Sequence, residues 1–277
     1  MRKTFILLLT LFTALSAAAD LIVPQTAAPR ILIPIAGDAP GANGTHFRSD
    51  IQVLNLRDQD QRVAFRWYAQ AGSGVPAATR IIEIRGRRFI SSMNFVNTVL
   101  NQTGVGSIDI VGIDAQGNFD PNALLHATSR IWTPQPNGQE GAMSQTFPAI
   151  VFGANPGQRK TIFGLHRGSG VRMNVGVSNP SATAQRFRFT VLTQFEDPQI
   201  IETTLPPFSM FQTNAPGTAE VIQILVENIT ATPDAMSNNW QAWGSSIENA
   251  SGDAWSQMAF PTLSSTSPQP VMFEEQQ

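Results

Sequence analysis

Cysteine is absent from all 277 residues. That removes disulfide staples, a lipid-anchoring thiol and a thiolate nucleophile at one stroke, and leaves core burial to supply stability. Lysine is almost absent, with Lys3 and Lys160 the only two. Charged residues are 14% of the chain, against a usual ~25%. The net charge of −2 offers no basic surface for nucleic acid. Histidine is limited to His46, His126 and His166, with neither H-x-H nor H-x3-H spacing, which argues against a zinc site. There is no G-x-S-x-G elbow. The apolar run from Phe5 to Leu15 is too short to span a bilayer, which takes about 20 residues.

That run does fit a secretory signal. Arg2 and Lys3 form a positive start, and Ser16-Ala17-Ala18-Ala19 supplies small residues for cleavage before Asp20. The mature chain is then expected to be secreted or periplasmic, with no membrane span after cleavage. Losing Arg2 and Lys3 takes the net charge from −2 to −4.

Turn residues are spread along the chain, with Gly 21 and Pro 19, and the segments between them alternate with period two. Asp50 to Asn55 and Arg62 to Trp67 are examples, the second placing Val63, Phe65 and Trp67 on one face. Pro34 within Ile31 to Ile35 suggests an edge strand. Ser92 to Asn101 departs from this period: Met93, Val96, Val99 and Leu100 have helical spacing, with Ser91 or Ser92 as N-cap.

The strongest signal is internal similarity. With Arg48 placed over Arg172, 23 positions align without gaps and seven are identical, including Asn55 with Asn179 and Phe65 with Phe189. With small gaps, Ile81-Ile82-Glu83 aligns with Ile200-Ile201-Glu202, Phe89 with Phe208, and Ser129-x-Ile131 with Ser245-x-Ile247. Phe147-Pro148 aligns with Phe260-Pro261, and Pro40-Gly41 to Thr45 with Pro156-Gly157 to Thr161. The expected organisation is a signal peptide (1–19), one β-sandwich (20–148), a second (149–263) and a disordered tail (264–277). The fold class expected is all-β: two tandem Ig-like antiparallel sandwiches, with one short helix in the first. Copy 2 reads as a loop over Phe211 to Gly217 and as carrying extra residues at Leu165 to Gly170.

Asn43 to Asn55, the helical segment, Ala127 to Trp132 and Ser144 to Pro148 together resemble a class of uncharacterised secreted bacterial proteins with tandem Ig-like repeats. The resemblance implies a fold and a compartment, and no activity.

Candidate chemistry is sparse. His46 lies near Ser49 and Asp50, as a base, nucleophile and orienting carboxylate would, but a polar strand start explains the same residues. Asp114 to Asp120 alternates oxygen ligands but lacks the closing Glu of an EF-hand loop. Gly153 to Thr161 has the wrong spacing for a phosphate loop. No catalytic, cofactor or metal residue is assigned. Partner binding is instead placed on connections that differ between copies: His166 and Arg167 beside Gly168 and Gly170, with Trp243 as aromatic anchor. Trp240 aligns with the apolar Leu124 and reads as core, while Trp243 aligns with Ala127 and reads as the more exposed. The function expected is a non-enzymatic structural or binding module with a protein or glycan partner at the cell envelope. The rival is a secreted carbohydrate-active or hydrolytic protein with a loop-borne site.

Overall fold

The computed structural model describes residues 27–41, 44–135, 140–153, 158–193, 196–218, 220–231, 239–249 and 254–262. The expected signal segment and the tail lie outside the described residues. The regular secondary structure among them is nearly all strand, and no helix among them is long and apolar enough to cross a membrane.

The first half contains β1 (Arg30–Pro40), β2 (His46–Asn55), β3 (Gln61–Ala69), β4 (Ala78–Ile84) and β5 (Phe89–Ser92). A single helical turn, α1 (Phe95–Thr98), precedes β6 (Gly104–Ile113), β7 (Leu125–Pro134), β8 (Ala142–Pro148) and β9 (Ile150–Val151). One sheet runs β4-β3-β6-β1-β2-β7-β8, with β5 added to β2 and β9 to β1. It folds over itself because β1 serves both layers: Arg30 to Asp38 pair with β6, and Asp38 to Pro40 pair with β2. Between the layers lie Ile31, Ile33, Ile51, Val53, Phe65 and Trp67, all out of contact with solvent.

The second half contains β10 (Arg159–His166), β11 (Val171–Asn179), β12 (Gln185–Leu192), β13 (Gln199–Leu205) and β14 (Ser209–Asn214). Then come β15 (Val221–Asn228), β16 (Gln241–Glu248), β17 (Ala254–Met258) and β18 (Phe260–Pro261). Here the layers are separate sheets, β13-β12-β15-β10-β18 and β14-β11-β16-β17, packed on Val175, Val177, Phe187, Phe189, Ile224 and Trp240.

Three expectations need correcting. Pro34 is not on an edge: β1 lies between β6 and β2, and Pro34 falls in the register shift between Ile33 and Ala36, where a missing N–H costs no ladder bond. The helix is one turn, not Ser92 to Asn101. Ser92 belongs to β5, and the cap is Asn94 in a left-handed conformation (φ 49). Phe95, Val96 and Leu100 turn inward while Met93 stays exposed. In the second half, Phe211 to Asn214 is strand rather than loop.

Candidate functional site

The sequence points to His166, Arg167 and Trp243 for partner binding. The first two are neighbours at the end of β10, and their roles differ. The Arg167 guanidinium donates to the carbonyls of Ala215 (2.6 Å) and Pro216 (3.0 Å), so it ties down the chain after β14. His166 is exposed, and its ring stacks on that of Trp255 at 5.4 Å with a 21° tilt. The Trp255 indole N–H donates to the Gly164 carbonyl at 3.4 Å, and Phe163, next in the chain, is 60% exposed. The bulge between Ile162 and Leu165 brings these groups to the surface.

Trp243 corrects the expectation of an exposed anchor, because it is fully buried. It does point away from the core of the second half: it pairs with Gly176, on the face opposite the core residues Val175 and Val177. The first half covers that face. Trp243 meets Phe147 edge-on at 5.5 Å, and Ile35, Ile131 and Met210 complete the cluster. Hydrogen bonds cross the same seam. Ser178 Oγ donates to the Pro34 carbonyl (3.0 Å), Ser256 Oγ to the Thr146 carbonyl (2.7 Å), and the Ala71 N–H to the Met210 carbonyl (3.2 Å). Tyr68 of β3 packs against Phe208 at 5.5 Å. The aromatic left accessible among Trp240, Trp243 and Trp255 is Trp255, which the sequence groups with the other two and which reads there as core.

A cavity of about 220 Å³ opens along this seam. Ile35, Phe47, Val105 and Ile131 form its wall in the first half, and Arg172, Asn174, Gln212 and Asn214 form the facing wall in the second.

The other groups singled out by sequence have structural partners. Ser49 Oγ is buried and accepts from the Gly37 N–H (2.8 Å), while His46 bonds Asp38 (2.6 Å) rather than Asp50. Asp50 accepts from the Trp132 indole (2.8 Å) and the Asn94 N–H (3.0 Å). Asp114 accepts from the Asn118 N–H (2.8 Å), which holds its carboxyl below the usual range, and Asp120 pairs with Arg57 (2.8 Å). Among the described residues no group of three or more His, Cys, Asp or Glu is placed to hold a metal ion. The fully buried Asp109 accepts from Arg30 Nε (2.8 Å), from Arg30 Nη2 (2.9 Å) and from the Tyr68 hydroxyl (2.6 Å). Burial and then this carboxylate push the Tyr68 phenol well above its ordinary value. Such a network orders this side of β3 and β6.

No protein-family model matches the chain, and no curated protein matches it. Among solved structures it is similar to one described as the crystal structure of Thermotoga maritima 1070, at 9% identity over 39% of this chain and 97% of that one, with a TM-score of 0.30.

Proposed function

We propose that this chain is a secreted or periplasmic, non-enzymatic binding module made of two tandem Ig-like sandwich units, with the Trp255–His166 platform as its partner-facing surface. The platform carries the reading: a stacked aromatic pair at the surface beside an exposed phenylalanine is suited to the apolar face of a sugar ring or to a peptide side chain.

The strand pairings support the duplication. Each partnership of β10 to β18 has a counterpart nine strands earlier: β10 with β15 and β18 as β1 with β6 and β9, β11 with β14 and β16 as β2 with β5 and β7. Buried Asn55 and Asn179 also make the same bonds. Each amide donates to carbonyls four residues on (Gln59, Thr183) and at the end of the fourth strand of its half (Ile84, Leu205). Each side-chain oxygen accepts the N–H two residues on (Arg57, Ser181).

The test uses the protein from Asp20 onward and its Trp255→Ala variant, on a glycan array and in pull-downs from envelope and medium. The expected result is a retained glycan or protein that the variant loses by tenfold or more. Identical retention profiles for the two proteins would overturn the platform as the binding surface.

A further inference from the structure

The seam cavity has the build of a ligand site, separate from the aromatic platform. Its two walls differ in chemistry, and the strand register explains why. Asn174 pairs with Asn214, and Gly176 with Gln212, across β11 and β14. With Arg172 two residues before Asn174, these side chains line the outward face of the second sandwich with amides and one guanidinium. A face like this would normally meet water. Here it meets a wall of the first half made mostly of Ile35, Phe47, Val105 and Ile131, with the Gln145 amide as its one polar side chain, so most of its hydrogen-bonding groups face apolar surface.

Three observations indicate what the cavity would take. Arg172 is the sole charged residue lining the cavity. Its one hydrogen-bond partner among the described residues is the side-chain oxygen of Asn249, a neutral group, so a guanidinium with five donors has no counter-ion there. Burial pulls its pKa below the usual guanidinium value, the direction set by desolvation without a compensating anion. The amides lack partners too. The Oε1 atoms of Gln145 and Gln212, from opposite sides of the seam, are shielded from solvent and accept no hydrogen bond. Buried amide oxygens left unpaired are uncommon and call for a donor. The volume bounds the occupant's size, since about 220 Å³ is below the roughly 300–1,000 Å³ of sites for drug-sized ligands.

We infer that this cavity binds a small organic carboxylate with an apolar body and a hydroxyl or amino donor, its carboxylate on Arg172, its donor toward the glutamine amides and its body against Ile35, Val105 and Ile131. A planar guanidinium suits a carboxylate because it presents two parallel N–H donors. Since the occupant touches both halves, its binding also strengthens the seam.

L-phenyllactate, which carries all three features, is the probe, and 3-phenyl-1,2-propanediol is its uncharged match. Isothermal titration calorimetry on the full chain should give saturable one-to-one binding of the acid, at least tenfold weaker binding of the diol, and at least tenfold weaker acid binding in Arg172→Met. The melting temperature should rise with the acid in the wild type and not in Arg172→Met. Trp255→Ala should bind the acid as the wild type does, which separates this cavity from the platform. Should Arg172→Met fail to fold, Val105→Phe, which fills the apolar wall, replaces it with the same expected loss. No saturable binding, equal affinity for acid and diol, or loss on Trp255→Ala with retention in Arg172→Met would each overturn the inference.

Discussion

Lys160 shows how a single side chain can work against the fold that holds it. It is fully buried, its ammonium 4.3 Å from the centre of the Trp240 ring and donating to the Trp240 carbonyl, with no carboxylate within ion-pair reach among the described residues. Strand register gives its counterpart. Lys160 pairs with Val226, and Ile31 pairs with Ile110; Val226 and Ile110 in turn pair with the equivalent Phe189 and Phe65. The second half therefore carries a lysine where the first carries a core isoleucine. Burial depresses its pKa from 10.5 to about 7. With the folded value below the unfolded one, the unfolded chain binds more protons between those limits, so stability rises with pH from about 7 to about 10.5. Below about 7 the full penalty applies. Lys160→Met should therefore stabilise the protein by about 2–4 kcal/mol at pH 6, and the gain should shrink steadily toward pH 10. Urea midpoints at several pH values decide this, and a gain that does not change with pH would count against a desolvated ammonium.

Elements were legible in the sequence wherever they obey one period, and less so where a connection sets the geometry. Asn55 and Asn179 and the strands around Phe65 and Phe189 align directly, because the gap-free run from Asn to the strand start is the same in both and the inward-facing residues share their pattern. The alignment slipped beyond them. A short Pro-Gly to Thr coincidence places Lys160 against Gly44 and hides its match to Ile31. The same slip made Leu165 to Gly170 look like an insertion. By register the connection from β10 to β11 is shorter than that from β1 to β2, since Leu165 answers to Ala36 and Val171 to Phe47. Pairing likewise moves Ile81 onto Glu202 and Phe89 onto Met210, two residues from the sequence alignment. Single residues at gaps carry too little information to fix register. The helix misled for a related reason. Met93, Val96, Val99 and Leu100 do have helical spacing, but the chain is still in β5 at Ser92, and Phe95 is what packs on Phe65, with ring centres 5.0 Å apart. Phe95→Ala should therefore cost about 3–5 kcal/mol, while Met93→Ala, at an exposed position, should change stability by no more than about 0.5 kcal/mol. Thermal or urea unfolding of the two variants distinguishes one buried turn from the longer amphipathic helix, which would make both costly.

At the scale of the whole molecule, the seam decides whether the halves behave as two domains or one. Sequence could place Trp243 on a strand but could not show what lies over it. Register pairs Ala242 with Val177 as it pairs Ala127 with Val53, so Trp243 answers to Thr128, an outward position, rather than to Ala127. An outward tryptophan in an isolated sandwich would be exposed. In this chain it is covered by Phe147 of β8, and its ring lies over Gly176, where an added Cβ would sit 2.4 Å from the indole. Glycine at 176 thus lets the ring lie flat on the sheet and leaves room for the first half above it. Phe147 belongs to neither of the two larger core clusters, so truncating it tests the seam alone. With apolar burial and cross-seam hydrogen bonds together, the wild type should unfold in one calorimetric transition. Phe147→Ala should remove about 3–5 kcal/mol from the coupling and separate that transition into two, one for each half. Phe65→Ala, which weakens the first core and leaves the seam intact, should lower the midpoint without separating it. A Phe147→Ala protein that melts in one unshifted transition would mean the halves are held together by something other than the Phe147–Trp243 contact.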